Sequence, residues 1–136
     1  MRKNIQKIKR LNFPKKKINN SIKYLDQNVR KAIDYAYERI FKFHKLQIKN
    51  FKKIKFVDKY KNKLEYKSIP IDSVGVYVPG NLPSTLLMNC IPAKIAGVRR
   101  IILATPKINN TLNPAVLYAA KKLGIKEIFS MGGAQA

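Results

Sequence analysis

Acidic residues are scarce in this chain: 7 Asp and Glu stand against 29 Lys and Arg in 136 residues, a formal charge of +22. Cysteine occurs once, at Cys90, which excludes a disulfide framework and a cysteine-based zinc cluster. Histidine also occurs once, at His44, and tryptophan is missing. A lone histidine with neither cysteine nor clustered carboxylates beside it reads as a packed or capping residue rather than a catalytic or metal-binding one. No apolar run approaches the ~18 residues needed to span a bilayer. The basic N-terminus also lacks the apolar stretch of a secretory signal. The expectation is a cytoplasmic protein with no membrane association.

The charge that is present is unevenly placed. Residues 1–67 hold 22 Lys and Arg against 5 Asp and Glu, a net of +17, whereas residues 68–136 hold 7 against 2, a net of +5. A basic front half suits phosphate, on nucleic acid or on an anionic surface. It is equally what AT-rich coding writes at unconstrained surface positions. Lysine far outnumbers arginine here, and Asn and Ile are heavy in the same segments. Arginine is the side chain that phosphate and base-edge recognition favours, so compositional drift is the preferred reading and nucleic acid is not the expected partner.

Punctuation along the chain divides it into three. Residues 1–24 are basic, broken by Pro14 and Asn19-Asn20, and expected to be loosely ordered. Residues 25–67 carry an amphipathic helix and then a Lys-rich ribbon or loop. Asp26 is placed to cap the helix, and Val29, Ile33, Ala36, Tyr37, Ile40, Phe43 and His44 recur at its 3.6-residue period. Beyond it, lysines interleave with Phe51, Ile54, Phe56, Val57, Tyr60, Leu64 and Tyr66. Such a pattern stacks bases and holds phosphates, or makes a two-stranded ribbon turning over 59–63. The ribbon is preferred, since no nucleic-acid motif accompanies it.

Residues 68–136 alternate short apolar β-branched runs with helical stretches. Strands are expected from about 74, 100 and 126, the even spacing of repeated βα units. Between them, Pro83 starts a helix stopped by Gly97, with Pro92 expected to kink or loosen it. Asn113-Pro114 starts another, ending at Gly124. Continuous apolar strands predict a parallel sheet buried on both faces. The fold class is therefore α/β: a partial, Rossmann-like βαβαβ sheet preceded by a basic amphipathic helix. The last strand is followed by Gly132-Gly133-Ala134-Gln135-Ala136, where a further helix would be expected to begin, so the unit reads as incomplete.

In such sheets ligands sit outside the carboxyl ends of the strands. Three turns qualify: residues 77–81, Thr105-Pro106 and residues 132–135. Each sets backbone N–H groups or small residues near a helix start, which suits an anion such as a pyrophosphate. There is no G-x-G-x-x-G and no acidic residue closing the second strand, so a generic dinucleotide fingerprint is absent.

The wording of these stretches is more specific than their layout. Gly75-Val76-Tyr77-Val78-Pro79-Gly80 is followed by Pro83-Ser84-Thr85-Leu86-Leu87-Met88-Asn89 and by Ile91-Pro92-Ala93-Lys94-Ile95-Ala96-Gly97-Val98. Ala104-Thr105-Pro106, Asn113-Pro114-Ala115-Val116-Leu117 and Gly132-Gly133-Ala134-Gln135-Ala136 come next. This ordered series closely resembles histidinol dehydrogenase, over roughly Leu25 to Ala136. The resemblance implies a zinc-dependent oxidoreductase of histidine biosynthesis, normally a homodimer, that oxidises L-histidinol to L-histidine through the aldehyde with two NAD. It also implies that Tyr77 and Gln135 contact the cofactor. Two departures stand out: Asn81 replaces the family's second glycine in a shortened loop, and the family's zinc ligands and Glu-His acid/base pair lie beyond Ala136. No catalytic residue and no metal ligand is therefore assigned in this chain. It is expected to be a truncated portion, inactive alone, that acts with a complementary polypeptide or survives as a relic. The alternative is a basic module on a relic enzyme scaffold, binding nucleic acid or ribosomes.

Overall fold

A computed structural model describes residues 14–49 and 53–133. The first described element corrects an expectation: Lys15–Lys23 forms a helix, α1, where loosely ordered chain was anticipated. Its propensity is poor, but Ile18 and Ile22 stand one turn apart and both are buried, so tertiary packing supplies what the local sequence does not. Residues 1–13, where the rest of that expectation falls, lie outside the described residues.

Helix α2 (Gln27–Ile48) begins where Asp26 accepts from the backbone N–H groups of Asn28 (2.8 Å) and Val29 (3.2 Å), satisfying two donors the first turn would leave free. Ile33 is buried on its inner side, with Ala36, Tyr37, Ile40 and Phe41 packed partly against the core. Strands β1 (Ile54–Val57) and β2 (Lys63–Tyr66) then pair antiparallel as a ribbon. Its turn is organised by Asp58, which accepts from the backbone N–H groups of Tyr60 and Asn62, both at 2.8 Å.

The α/β unit follows: β3 (Ser73–Tyr77), α3 (Pro83–Ile95), β4 (Arg100–Ala104), α4 (Pro114–Lys122) and β5 (Glu127–Phe129). Among the described residues the three strands form one parallel sheet in the order β3-β4-β5. Asn113 caps α4 through its side-chain oxygen, which accepts from Ala115 N–H at 2.8 Å. Pro92 lies in the last turn of α3, where its missing N–H deprives only the Met88 carbonyl of a backbone donor.

Burial is one-sided. The register row Val76, Leu103 and Ile128 is buried, while Gly75 and Tyr77 of β3 are exposed and Ile102, Ala104 and Phe129 are only half-buried. A sheet extended in one direction by two crossovers of one hand lays both helices on the same face. Accordingly α3 and α4 touch each other, α2 packs on both, and α1 packs on α4. The expectation of a sheet buried on both faces thus fails among the described residues, because the additional helices stack on the helical layer.

A polar cluster fastens that stack. The Tyr118 hydroxyl donates to both Asp34 carboxylate oxygens (3.1 and 3.0 Å), and Lys122 Nζ donates to Oδ1 at 2.6 Å. Arg30 lies over the Tyr118 ring, 5.8 Å from its centre, and donates to the Ile22 and Lys23 carbonyls at the end of α1. Lys122 holds the Asp34 carboxyl below its ordinary range, and Asp34 in turn raises the Lys122 ammonium. A depressed carboxyl stabilises the fold above the ordinary carboxylate range and ceases to do so as pH falls through its folded value. Asp34→Asn is therefore expected to melt lower at neutral pH by the equivalent of up to about 1 kcal/mol, given the solvent exposure of the pair. The difference from the native chain should narrow as pH falls below the ordinary carboxylate range, as followed by thermal denaturation down the acid limb.

Candidate functional site at the strand ends

Tyr77, Ala104 and Phe129 are register neighbours at the carboxyl ends of β3, β4 and β5. The ladder runs one residue further on each side. Val78 N–H donates to the Ala104 carbonyl (2.9 Å) and Thr105 N–H to the Phe129 carbonyl (3.0 Å). The three turns picked out in the sequence therefore emerge side by side.

They converge on Pro106. A Cβ placed on Gly80 would lie 2.9 Å from the Pro106 carbonyl oxygen, and one on Gly132 would lie 3.0 Å from Pro106 Cβ and 3.5 Å from Tyr77 Oη. A side chain is excluded at Gly80 by the Pro106 backbone and crowded at Gly132 by the Pro106 ring. The same distances bring the Tyr77 hydroxyl to the start of the Gly132-Gly133 turn. Its ring is 47% exposed on the open face of the sheet. No side chain caps the N-terminus of α3, which carries Pro83 at its first position. A planar aromatic surface, close-packed glycine turns and an uncapped helix start can accommodate a ligand with an anionic group and a flat ring.

Of the two candidate cofactor contacts, Tyr77 sits in this crevice, and Gln135 lies outside the described residues. Sequence reading missed the role of Pro106 as the wedge between two turns. It also missed Thr105 as a buried hydroxyl: its Oγ1 finds no hydrogen-bond partner. The available signal was alternation, since Ile101, Leu103 and Thr105 share the helix-facing side of β4. His44 is remote in kind as well as place. Its Nδ1 lies 2.6 Å from Gln47 Oε1, and it borders a groove with Pro92 and Ile95 at the other end of α3. Among the described residues no three His, Cys, Asp or Glu side chains converge, so those present do not make a metal centre. None of the described helices is long and apolar enough to cross a membrane.

A family model described as histidinol dehydrogenase matches residues 2–136. The chain belongs to that family. It is 57% identical to the histidinol dehydrogenase of Pelagibacter ubique over 124 residues, covering 89% of this chain and 28% of that protein. It is 42% identical to the histidinol dehydrogenase of Acinetobacter baylyi over 129 residues, 93% of this chain and 30% of the relative. The crystal structure of histidinol dehydrogenase from Elizabethkingia anophelis superposes with a TM-score of 0.81 at 34% identity, over 92% of this chain and 29% of the other. The chain thus spans under a third of the length of these histidinol dehydrogenases, as a fragment of one would.

Two outcomes follow from the packing. Gly80→Ala is expected to cost about 1–3 kcal/mol, because its methyl group meets the Pro106 carbonyl as well as the Ile108 side chain, and the backbone cannot swing aside. Gly75→Ala, where an added Cβ meets nothing within 4 Å, should be neutral or stabilising by up to about 1 kcal/mol; urea denaturation of the two variants separates them. Burial pushes the Cys90 thiol up to about 11 against the opposing effect of Lys94. Alkylation at pH 8 should therefore leave Cys90 unlabelled in the folded chain and label it once urea unfolds the protein.

Proposed function

We propose that this chain supplies part of the NAD site of a histidinol dehydrogenase and is inactive by itself. The observation that carries the reading is the meeting of Tyr77 with the Gly132 turn at the strand ends, in a chain whose family match runs from residue 2 to residue 136. NAD would supply the oxidant, each of two molecules in turn taking up one hydride, the first at the alcohol stage and the second at the aldehyde stage. The chain's own contribution is positioning. Tyr77 lays its ring along the cofactor, Gln135 bonds it through an amide that both donates and accepts, and the glycine turns let backbone approach closely.

The substrate on this reading is L-histidinol, oxidised to L-histidine in histidine biosynthesis in the cytoplasm. A base is needed to take the hydroxyl proton, and zinc-assisted chemistry needs a ligand set. Neither is assigned to the described residues, among which no three His, Cys, Asp or Glu side chains converge. The relatives reported above are histidinol dehydrogenases and lend no support to the alternative of a nucleic-acid-binding module.

The test is ligand-linked stability. NAD should raise the melting temperature of the chain, by the equivalent of about 2.7 kcal/mol at a hundred times its Kd, and Tyr77→Ala should remove most of that shift. A melting temperature indifferent to NAD would remove the basis for the cofactor role. Separately, a purified chain that oxidised L-histidinol with NAD and zinc would overturn the division of labour.

A further inference from the structure

At the carboxyl ends of the strands, hydrogen bonding stops on both sides of β4 at one residue. Parallel pairing spaces its bonds evenly. After Val78 N–H donates to the Ala104 carbonyl (2.9 Å), the next bond between β3 and β4 would run from the N–H of residue 106 to the Val78 carbonyl. That residue is Pro106, which has no N–H. On the other side, Thr105 N–H reaches the Phe129 carbonyl (3.0 Å), but Met131 N–H turns back to that same carbonyl (3.1 Å) instead of continuing along β4. Strands β3 and β5 therefore both part from β4 at this level, and each leads into a glycine turn.

Pro106 occupies the space between those turns. Strand alternation puts it on the open face with Ala104 and with Tyr77, the register neighbour of Ala104. Its carbonyl oxygen faces Gly80 and its Cβ faces Gly132, at 2.9 and 3.0 Å from where a side chain would begin, and Tyr77 Oη lies 3.5 Å from the same point at Gly132. The wedge is held from behind. Ile108 and Thr111 exchange backbone hydrogen bonds (2.8 and 3.0 Å), with Asn109 and Asn110 both at positive φ, the geometry of a tight two-residue turn. That turn sets the Ile108 side chain against Gly80 as well. We infer that Pro106 is a positioning residue for the nicotinamide cofactor: it holds the Gly80 and Gly132 turns apart beside the Tyr77 ring and so sets the width of the crevice that NAD enters. An N–H at residue 106 would let β4 bond on to Val78 and draw the Gly80 turn inward. The inference deepens the proposed function and rests on it.

The test is calorimetric titration of the full chain with NAD, well below the melting temperature of every variant, so that lost stability does not enter the Kd. Pro106→Gly restores the N–H and removes the ring, and should weaken NAD binding at least about fivefold through the loss of a preorganised gap. Gly132→Ala sets a methyl group against Pro106 Cβ and should weaken binding by at least about the same factor. Because both act through one contact they are coupled: in the Pro106→Gly chain, where that Cβ is gone, adding Gly132→Ala should change Kd by less than about twofold. A Gly132→Ala penalty of equal size in both backgrounds overturns the inference. So does a Pro106→Gly chain that binds NAD as tightly as wild type, a result that decides the matter even if Gly132→Ala does not fold. The proposed function survives either outcome. A folded wild-type chain that binds no NAD overturns both.

Discussion

Parallel pairing leaves the end of each strand at the opposite edge from the start of the next, so β3 and β4, and then β4 and β5, must be joined across a face of the sheet. Both connections take the same face. That single constraint sets the rest of the molecule. The apolar side chains of Val76, Leu103 and Ile128 find cover beneath α3 and α4. Helices α1 and α2 then have only the outer surface of that layer to pack on. The burial of Leu86, Leu87, Ile91, Val116 and Leu117 from this stacking is the main source of stability, at about 1.5–3 kcal/mol for each large side chain taken from water. The opposite face, with Gly75, Tyr77 and Ile102, is left to solvent by the same geometry.

The crevice inherits its form from this arrangement. Strand ends in adjacent register bring three turns together, and the glycines at 80 and 132 let Pro106 wedge between two of them. Tyr77 is exposed because it stands on the uncovered face at the last position of β3. The charge of the chain takes no part in building this region: its lysines concentrate before residue 68, and the strand-end turns carry few. Basic residues act in the fold elsewhere: Arg100 pairs with Glu127 across β4 and β5, and the Lys94 ammonium donates to the Leu123 carbonyl at 2.5 Å. A cation there also meets the negative end of the α4 dipole.

Strand positions, the Asp26 and Asn113 caps and the parallel pairing were legible because each rests on local chemistry: apolar runs bounded by Gly and Pro, and short side chains that satisfy first-turn donors. The ribbon was legible as a possibility, though its organising residue, Asp58, was not singled out. Helix α1 was illegible because Ile18 and Ile22 are helical only against α4, a contact from far along the chain. The bare sheet face was also hidden. Continuous apolar strands predict cover on two sides, and only topology reveals that both crossovers share one. At the site, Tyr77 was legible through family wording and Gly80 only as a turn. Its close approach to Pro106, like the isolation of the Thr105 hydroxyl, depends on distances no linear pattern encodes.

The one-sided core has a consequence for how the protein is made. Among the described residues every large buried side chain lies between Ile18 and Ile128, and β3 pairs with β4 and β4 with β5, each a single crossover away along the chain. Contacts of this kind form quickly because little loop entropy opposes them. The parallel sheet and its two crossover helices are therefore able to form soon after β5 is made, and α1, which packs on α4 from far along the chain, closes onto them only then. A unit that matures in that order presents a finished, rigid surface to whatever arrives next, and assembly becomes the docking of preformed bodies.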